Sequence, residues 1–134
     1  MNRKKEREQA FYLIFEKCFS NDSTNEILEL AEECREFEST DYITNVFNGV
    51  YDNLEEIDNI ISKYSTGWKI ERISKVALAI LRLAIFEIKF LDDIPNGVSV
   101  NEAVELAKKY STEDSSSFVN GILAKVIVEN GLKG

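Results

Sequence analysis

The sequence predicts an all-α domain, and three observations carry that prediction. Residues 76–90 read VALAILRLAIFEIKF, with twelve of fifteen positions apolar or alanine and only Arg82, Glu87 and Lys89 departing. A helix that is apolar on nearly every side is a buried helix. The run is too short and too charged to cross a bilayer, and it is long for a strand. The segments around it repeat apolar residues every three or four positions, the helical period. One proline and six glycines in 134 residues leave little room for long irregular stretches.

Composition narrows the function. A chain of 134 residues reads as one domain, and it can bury roughly two-thirds of its unfolded surface. With 44% hydrophobic and 30% charged residues it is an ordinary soluble globular sequence. No stretch resembles a signal peptide or a membrane span, so the expected location is the cytoplasm. There is no histidine, and Cys18 and Cys34 are the only cysteines. A Ser–His–Asp triad, a Cys–His pair and a histidine metal site are therefore excluded. Gly-rich phosphate loops and dinucleotide fingerprints are also missing. The expectation is a protein that is not an enzyme, with no catalytic residues, metal or cofactor. Both cysteines fall on apolar helical positions and are expected to be reduced, buried thiols.

The first helix is expected from about Arg3 to Phe19, with Phe11, Ile14, Phe15 and Cys18 on one face. Ser20 to Thr24 form a turn rich in cap residues. The second helix turns Ile27, Leu28, Ala31 and Cys34 inward and carries Glu26, Glu29, Glu32, Glu33 and Glu36 outward as a solvated acidic face. Ser39, Thr40 or Asp41 caps a third helix in which apolar residues run from Ile43 to Tyr64 over six turns. Gly49 interrupts it, which suits close approach of another helix. Gly67 is expected to end it as a C′ residue. Trp68 to Ile73 form a short helical segment or turn, with Trp68 plugging a junction in the fold. Asp92 to Gly97 make the strongest break. Ser99 and Glu102 match a capping box for the next helix. Ser111 to Ser117 read as a polar loop or cap region before a last helix from Phe118 that ends at Asn130-Gly131.

Three features are left over once packing is explained. Arg3, Lys4, Lys5 and Arg7 place four bases in the first seven residues of a chain whose net charge is −8. Cations at a helix N-terminus oppose its dipole, so helix stability does not call for them. At 100° per residue, Arg3 and Arg7 line up with Ile14 and Cys18. The basic group then extends the buried face past the edge of the core, overhanging a rim; the alternative is a frayed, solvated terminus. Arg82 in the central helix needs a partner or an opening to solvent, as a structural ion pair, a snorkelling side chain or a functional group. The segment Thr112 to Ser115 leads into Phe118, an aromatic that either packs in the core or stacks on a ligand. The acid excess argues weakly against nucleic acid, although a local cluster can override it.

Three segments then resemble the NusB family of transcription antitermination factors: Ile80 to Glu87, Val100 to Lys108 and Phe118 to Leu123, with Trp68 and Arg72-Ile73 placed as expected upstream. The basic start followed by Arg7-Glu8-x-Ala10 resembles the family's Arg-rich N-terminus. The resemblance implies about seven helices in two subdomains, about 1–66 and 67–134, packed roughly at right angles. It implies RNA binding through Arg3, Lys4, Lys5 and Arg7, with Arg82, Asp114 and Phe118 also facing RNA. The expected ligand is the single-stranded boxA element of ribosomal RNA leaders. The expected partner is NusE, a small-subunit ribosomal protein, placed near Phe15 and Ala77, within an RNA polymerase antitermination complex. No membrane is involved, and some members form homodimers. Lysine stands at two positions where the family has arginine, which keeps the charge and loses the bidentate fork. Two alternatives are a helical interaction module that binds no RNA and a NusB-like domain of an RNA methyltransferase system. The second is disfavoured by the lack of room for a cofactor domain before Gly134.

Overall fold

The computed structural model describes residues 1–34 and 38–130. Among them the regular elements are all helical: α1 Arg3–Lys17, α2 Thr24–Cys34, α3 Asp41–Asp52, α4 Leu54–Tyr64, a 3₁₀ turn Ile70–Arg72, α5 Lys75–Phe90, α6 Asn96–Tyr110 and α7 Glu113–Asn130. The expected places of Glu36 on α2 and of Gly131 after the last helix lie outside the described residues.

Helix α5 is the axis. Ser74 caps it by accepting from the Ala77 N–H, and every residue from Ala77 to Ile88 is buried. Helices α1, α3, α4, α6 and α7 all pack on it. Helices α1 and α5 run antiparallel, since Arg7 meets Glu87 and Cys18 meets Arg82. Gly49 of α3 faces the Phe86 ring, and a Cβ there would collide with it. The interruption seen in the sequence is thus a close helix approach. Gly67 follows α4 with φ +79, the left-handed conformation glycine adopts without strain.

Local signals misled at four places. The six-turn third helix is two helices, because Asn53 leaves the helical region at φ −118 and ψ 23. Its side-chain amide donates to the Gly49 carbonyl at 2.8 Å, closing α3 before α4 begins. The S-x-x-E of Ser99 and Glu102 does not cap α6. That helix begins at Asn96, behind Pro95. Ser99 lies inside it, buried, and donates to Glu87 at 2.7 Å. The working capping box is Ser23 and Glu26, where each backbone N–H donates to the other's side chain at 3.1 Å. The last helix starts at Glu113 and not at Phe118; the polar stretch is its cap region and first turn, with Thr112 accepting from the Ser115 N–H at 3.0 Å. Trp68 plugs no junction: it is 55% exposed.

The cysteines correct the burial expectation. Both are free thiols, but Cys18 is half-buried and Cys34 is exposed. Cys34 sits in the last turn of α2 and is exposed, although the helical period marks its position as inward.

Candidate nucleic-acid interface

The basic turn starts α1 and is ordered from both sides. Asn2 caps the helix, accepting from the Lys5 N–H at 2.9 Å. Arg7, one turn in, is 4% exposed and does not overhang the rim. Its Nε donates to Glu87 Oε2 at 2.8 Å, an oxygen that also accepts from the Tyr42 hydroxyl. Ser99 donates to the other oxygen. Burial pulls the Arg7 guanidinium toward neutrality, but the hydrogen bond and charge of Glu87 more than offset it and its pKa is raised. The same site pushes the Tyr42 phenol well up, first by burial and then by the Glu87 charge. Arg7 therefore fastens the helix end to the core; its angular alignment with Ile14 gave the face correctly and the depth wrongly.

The other three bases stay at the surface. Arg3 lies 4.4 Å from the centre of the Tyr42 ring, a cation–π contact, with Nε 3.4 Å from Glu6. Lys4 reaches Glu102 of α6 at 3.4 Å. Lys5 is exposed and, among the described residues, pairs with no carboxylate. Lys4, Lys5 and Arg7 line a groove of about 330 Å³ between α1 and α6. Its far wall brings Lys109, a base that sequence reasoning missed because it is 101 residues from Glu8, the acid it meets.

A second place forms where α5 begins. Ala77, Asp114 and Phe118 line one cleft of about 290 Å³, together with Trp68 and Arg72. Ala77 is buried at its floor, Phe118 is half-buried, and Asp114 stands exposed in the first turn of α7. The exposed Trp68 ring is the functional candidate that the sequence reading assigned to the interior. A tryptophan beside Lys69 and Arg72, both exposed, was the available signal. Ala77 and Glu87 are ten residues apart on α5, so this cleft and the basic turn are separated by about 15 Å along it.

Arg82 joins neither place. Its Nε and Nη2 donate to the two carboxylate oxygens of Asp58 at 3.0 and 2.9 Å, and Nη1 approaches the Cys18 sulfur at 3.6 Å. This bidentate pair, 8% exposed at the arginine, is the structural alternative read from the sequence. Phe15 is half-buried between Phe11 and Phe19, its ring edge-on to the Phe19 ring at 5.2 Å. Phe19 is 67% exposed, so this end of α1 presents an aromatic surface.

Among the described residues no group of His, Cys, Asp or Glu could hold a metal ion. No helix there is long and apolar enough to cross a membrane. An all-helical scaffold that displays a cation-lined edge and an aromatic cleft belongs to the class of macromolecule-binding domains. Comparison with known proteins names the family: the NusB family model matches residues 4–128, and the chain belongs to that family. It is 52% identical to the transcription antitermination protein NusB of Acetivibrio thermocellus, over 95% of this chain and 89% of that one. It is 46% identical to that of Clostridium botulinum, over 95% of this chain and 100% of the relative. The structure of NusB from T. maritima superposes with a TM-score of 0.85 at 36% identity, covering 96% of this chain and 92% of that one. A structure of the antitermination factors NusB and NusE with double-stranded RNA matches with a TM-score of 0.81 at 30% identity, covering 92% and 94%.

Proposed function

We propose that this protein is an RNA-binding transcription antitermination factor that acts with NusE on the boxA element of ribosomal RNA leaders, in the cytoplasm and without catalysis. The observation that carries this reading is the anchoring of the basic turn. Arg7 buried against Glu87, and the Asn2 cap, hold Arg3, Lys4 and Lys5 on an ordered helix end, which sets aside the frayed terminus. In an acidic chain, these cations serve neither the core nor the helix dipole.

The reading assigns roles by geometry. Lys4, Lys5 and Arg3 meet phosphates, which position RNA without reading it. Trp68 and Phe118 offer ring faces to unpaired bases, the usual means of single-strand recognition. Asp114, exposed and lining the same cleft, can accept from a base edge. Arg7 and Arg82 position the helices from inside. NusE is placed on the aromatic end of α1, at Phe15 and Phe19, beside the start of α5 near Ala77, within the polymerase antitermination complex.

A filter-binding titration tests this, with a boxA-type RNA as single strand and as duplex, with and without NusE. Each phosphate neutralised on a single strand contributes roughly −0.7 to the slope of log K against log salt. If two or three of the exposed bases touch phosphate, Arg3→Ala/Lys4→Ala/Lys5→Ala flattens the slope by about 1.4–2.1. Unchanged affinity and slope would overturn the RNA reading; NusE binding without RNA would favour an interaction module. Light scattering on the same samples reads whether a homodimer competes.

A further inference from the structure

We propose that Glu8 and Glu102 restrain the basic edge, holding its cations in internal ion pairs that a phosphate backbone must displace. The inference rests on the RNA reading of this edge and adds what regulates its strength.

The groove between α1 and α6 is not a plain positive patch. Four cations line it, and so do three carboxylates, Glu8, Glu102 and Glu105. Glu102 meets two of the cations: Oε2 lies 3.4 Å from Lys4 Nζ and Oε1 lies 3.9 Å from Arg7 Nη1. Glu8 Oε2 lies 2.7 Å from Lys109 Nζ and accepts from the Tyr110 hydroxyl, also at 2.7 Å. Those contacts, Lys109 foremost, lower the Glu8 pKa, so the carboxylate stays charged.

These pairs do not explain the stability of the α1–α6 contact. Tyr12 and Tyr110 share a hydrogen bond there, the Phe11 and Tyr110 rings meet at 5.3 Å, and Arg7 is already fixed by Glu87. The lysines are mostly exposed, Lys4 at 71% and Lys109 at 62% of the side chain. Exposed pairs of this kind contribute little to folding. Their larger consequence is on the potential that an incoming polyanion meets. Glu102 and Glu8 sit where phosphate oxygens would sit, and they repel a strand as well as occupying its cations. Every polyanion is weakened by the same factor. Ligands held by phosphate contacts alone then fall below useful affinity, while an RNA that also stacks in the Trp68–Phe118 cleft remains bound.

The experiment is RNA titration of Glu8→Gln/Glu102→Gln, which keeps one acceptor oxygen on each side chain and removes both charges. One displaced exposed pair corresponds to a factor of about 1.5–5 in an equilibrium constant. The double variant is therefore expected to bind both a boxA-type RNA and a scrambled RNA of equal length about 2–25-fold more tightly, and to elute later from heparin. Glu29→Gln/Glu33→Gln, on the exposed face of α2, removes the same number of charges and is the control for net charge. Affinity for the Glu8/Glu102 double variant equal to or below that of this control overturns the restraint. If Arg3→Ala/Lys4→Ala/Lys5→Ala loses RNA while the double variant merely matches the control, the RNA edge stands and the restraint alone falls. If the triple variant binds RNA unchanged, the reading of the edge falls and takes the restraint with it.

Discussion

Replacing Arg7 by alanine separates a structural clamp from an RNA contact. Arg7 is 4% exposed, and Glu87, which receives its Nε–H at 2.8 Å, is fully buried. The substitution leaves that carboxylate in the core with hydroxyl donors from Tyr42 and Ser99 and without its guanidinium partner. Breaking a buried pair from one side costs about 3–5 kcal/mol. That is a large fraction of the roughly 5–15 kcal/mol that holds a domain folded. With a urea m-value of about 2 kcal/mol/M, the unfolding midpoint should drop by about 1.5–2.5 M. Lys4→Ala removes only an exposed pair and should stay within about 1 kcal/mol of the parent. Circular dichroism through a urea titration reads both. A Glu87→Gln background should shrink the Arg7→Ala cost, because the stranded charge is gone; a double-mutant cycle measures that coupling. An Arg7→Ala protein that unfolds at the parent midpoint would refute the clamp and return Arg7 to the RNA surface.

Gly49→Ala should destabilise by more than the modest effect of an ordinary exposed substitution, because its Cβ meets the Phe86 ring; thermal melting checks this, and pairing it with Phe86→Leu should recover part of the loss. Thiol labelling of native protein should modify Cys34 fast and Cys18 slowly, since Cys34 is exposed while burial raises the Cys18 pKa; equal rates would contradict the placement. Tyr42 and Tyr51 have pKa values raised chiefly by burial, so each contributes stability that is complete below the unfolded tyrosine pKa near 10 and is lost as pH rises beyond it. Absorbance at alkaline pH should therefore show these two phenols ionising together with unfolding, and not in the folded protein.

The sequence by itself determined the helical class, the central helix and the approach at Gly49. Those depend on local facts: a run of apolar residues too long for a strand, a period of 3.6, a residue without a Cβ. It also determined the family, since Ile80 to Glu87, Val100 to Lys108 and Phe118 to Leu123 carry the resemblance and the family model spans 4–128. Depth was not legible. Arg3 and Arg7 share one face within 40°, yet one stacks at the surface and the other is sealed in the core, because Glu87, 80 residues away, reaches only the second. Ser99 and Glu102 read locally as a cap; α5 and α1 recruited them instead, to Glu87 and to Lys4. Trp68 and Cys34 looked inward by composition and period, but whether a side chain is covered depends on which other element arrives there. The same reason applies to the basic edge. Four cations in the first seven residues are written in the sequence, whereas Glu102, the carboxylate that meets Lys4, comes from a helix 98 residues on, and only the tertiary structure sets the two within ion-pair distance.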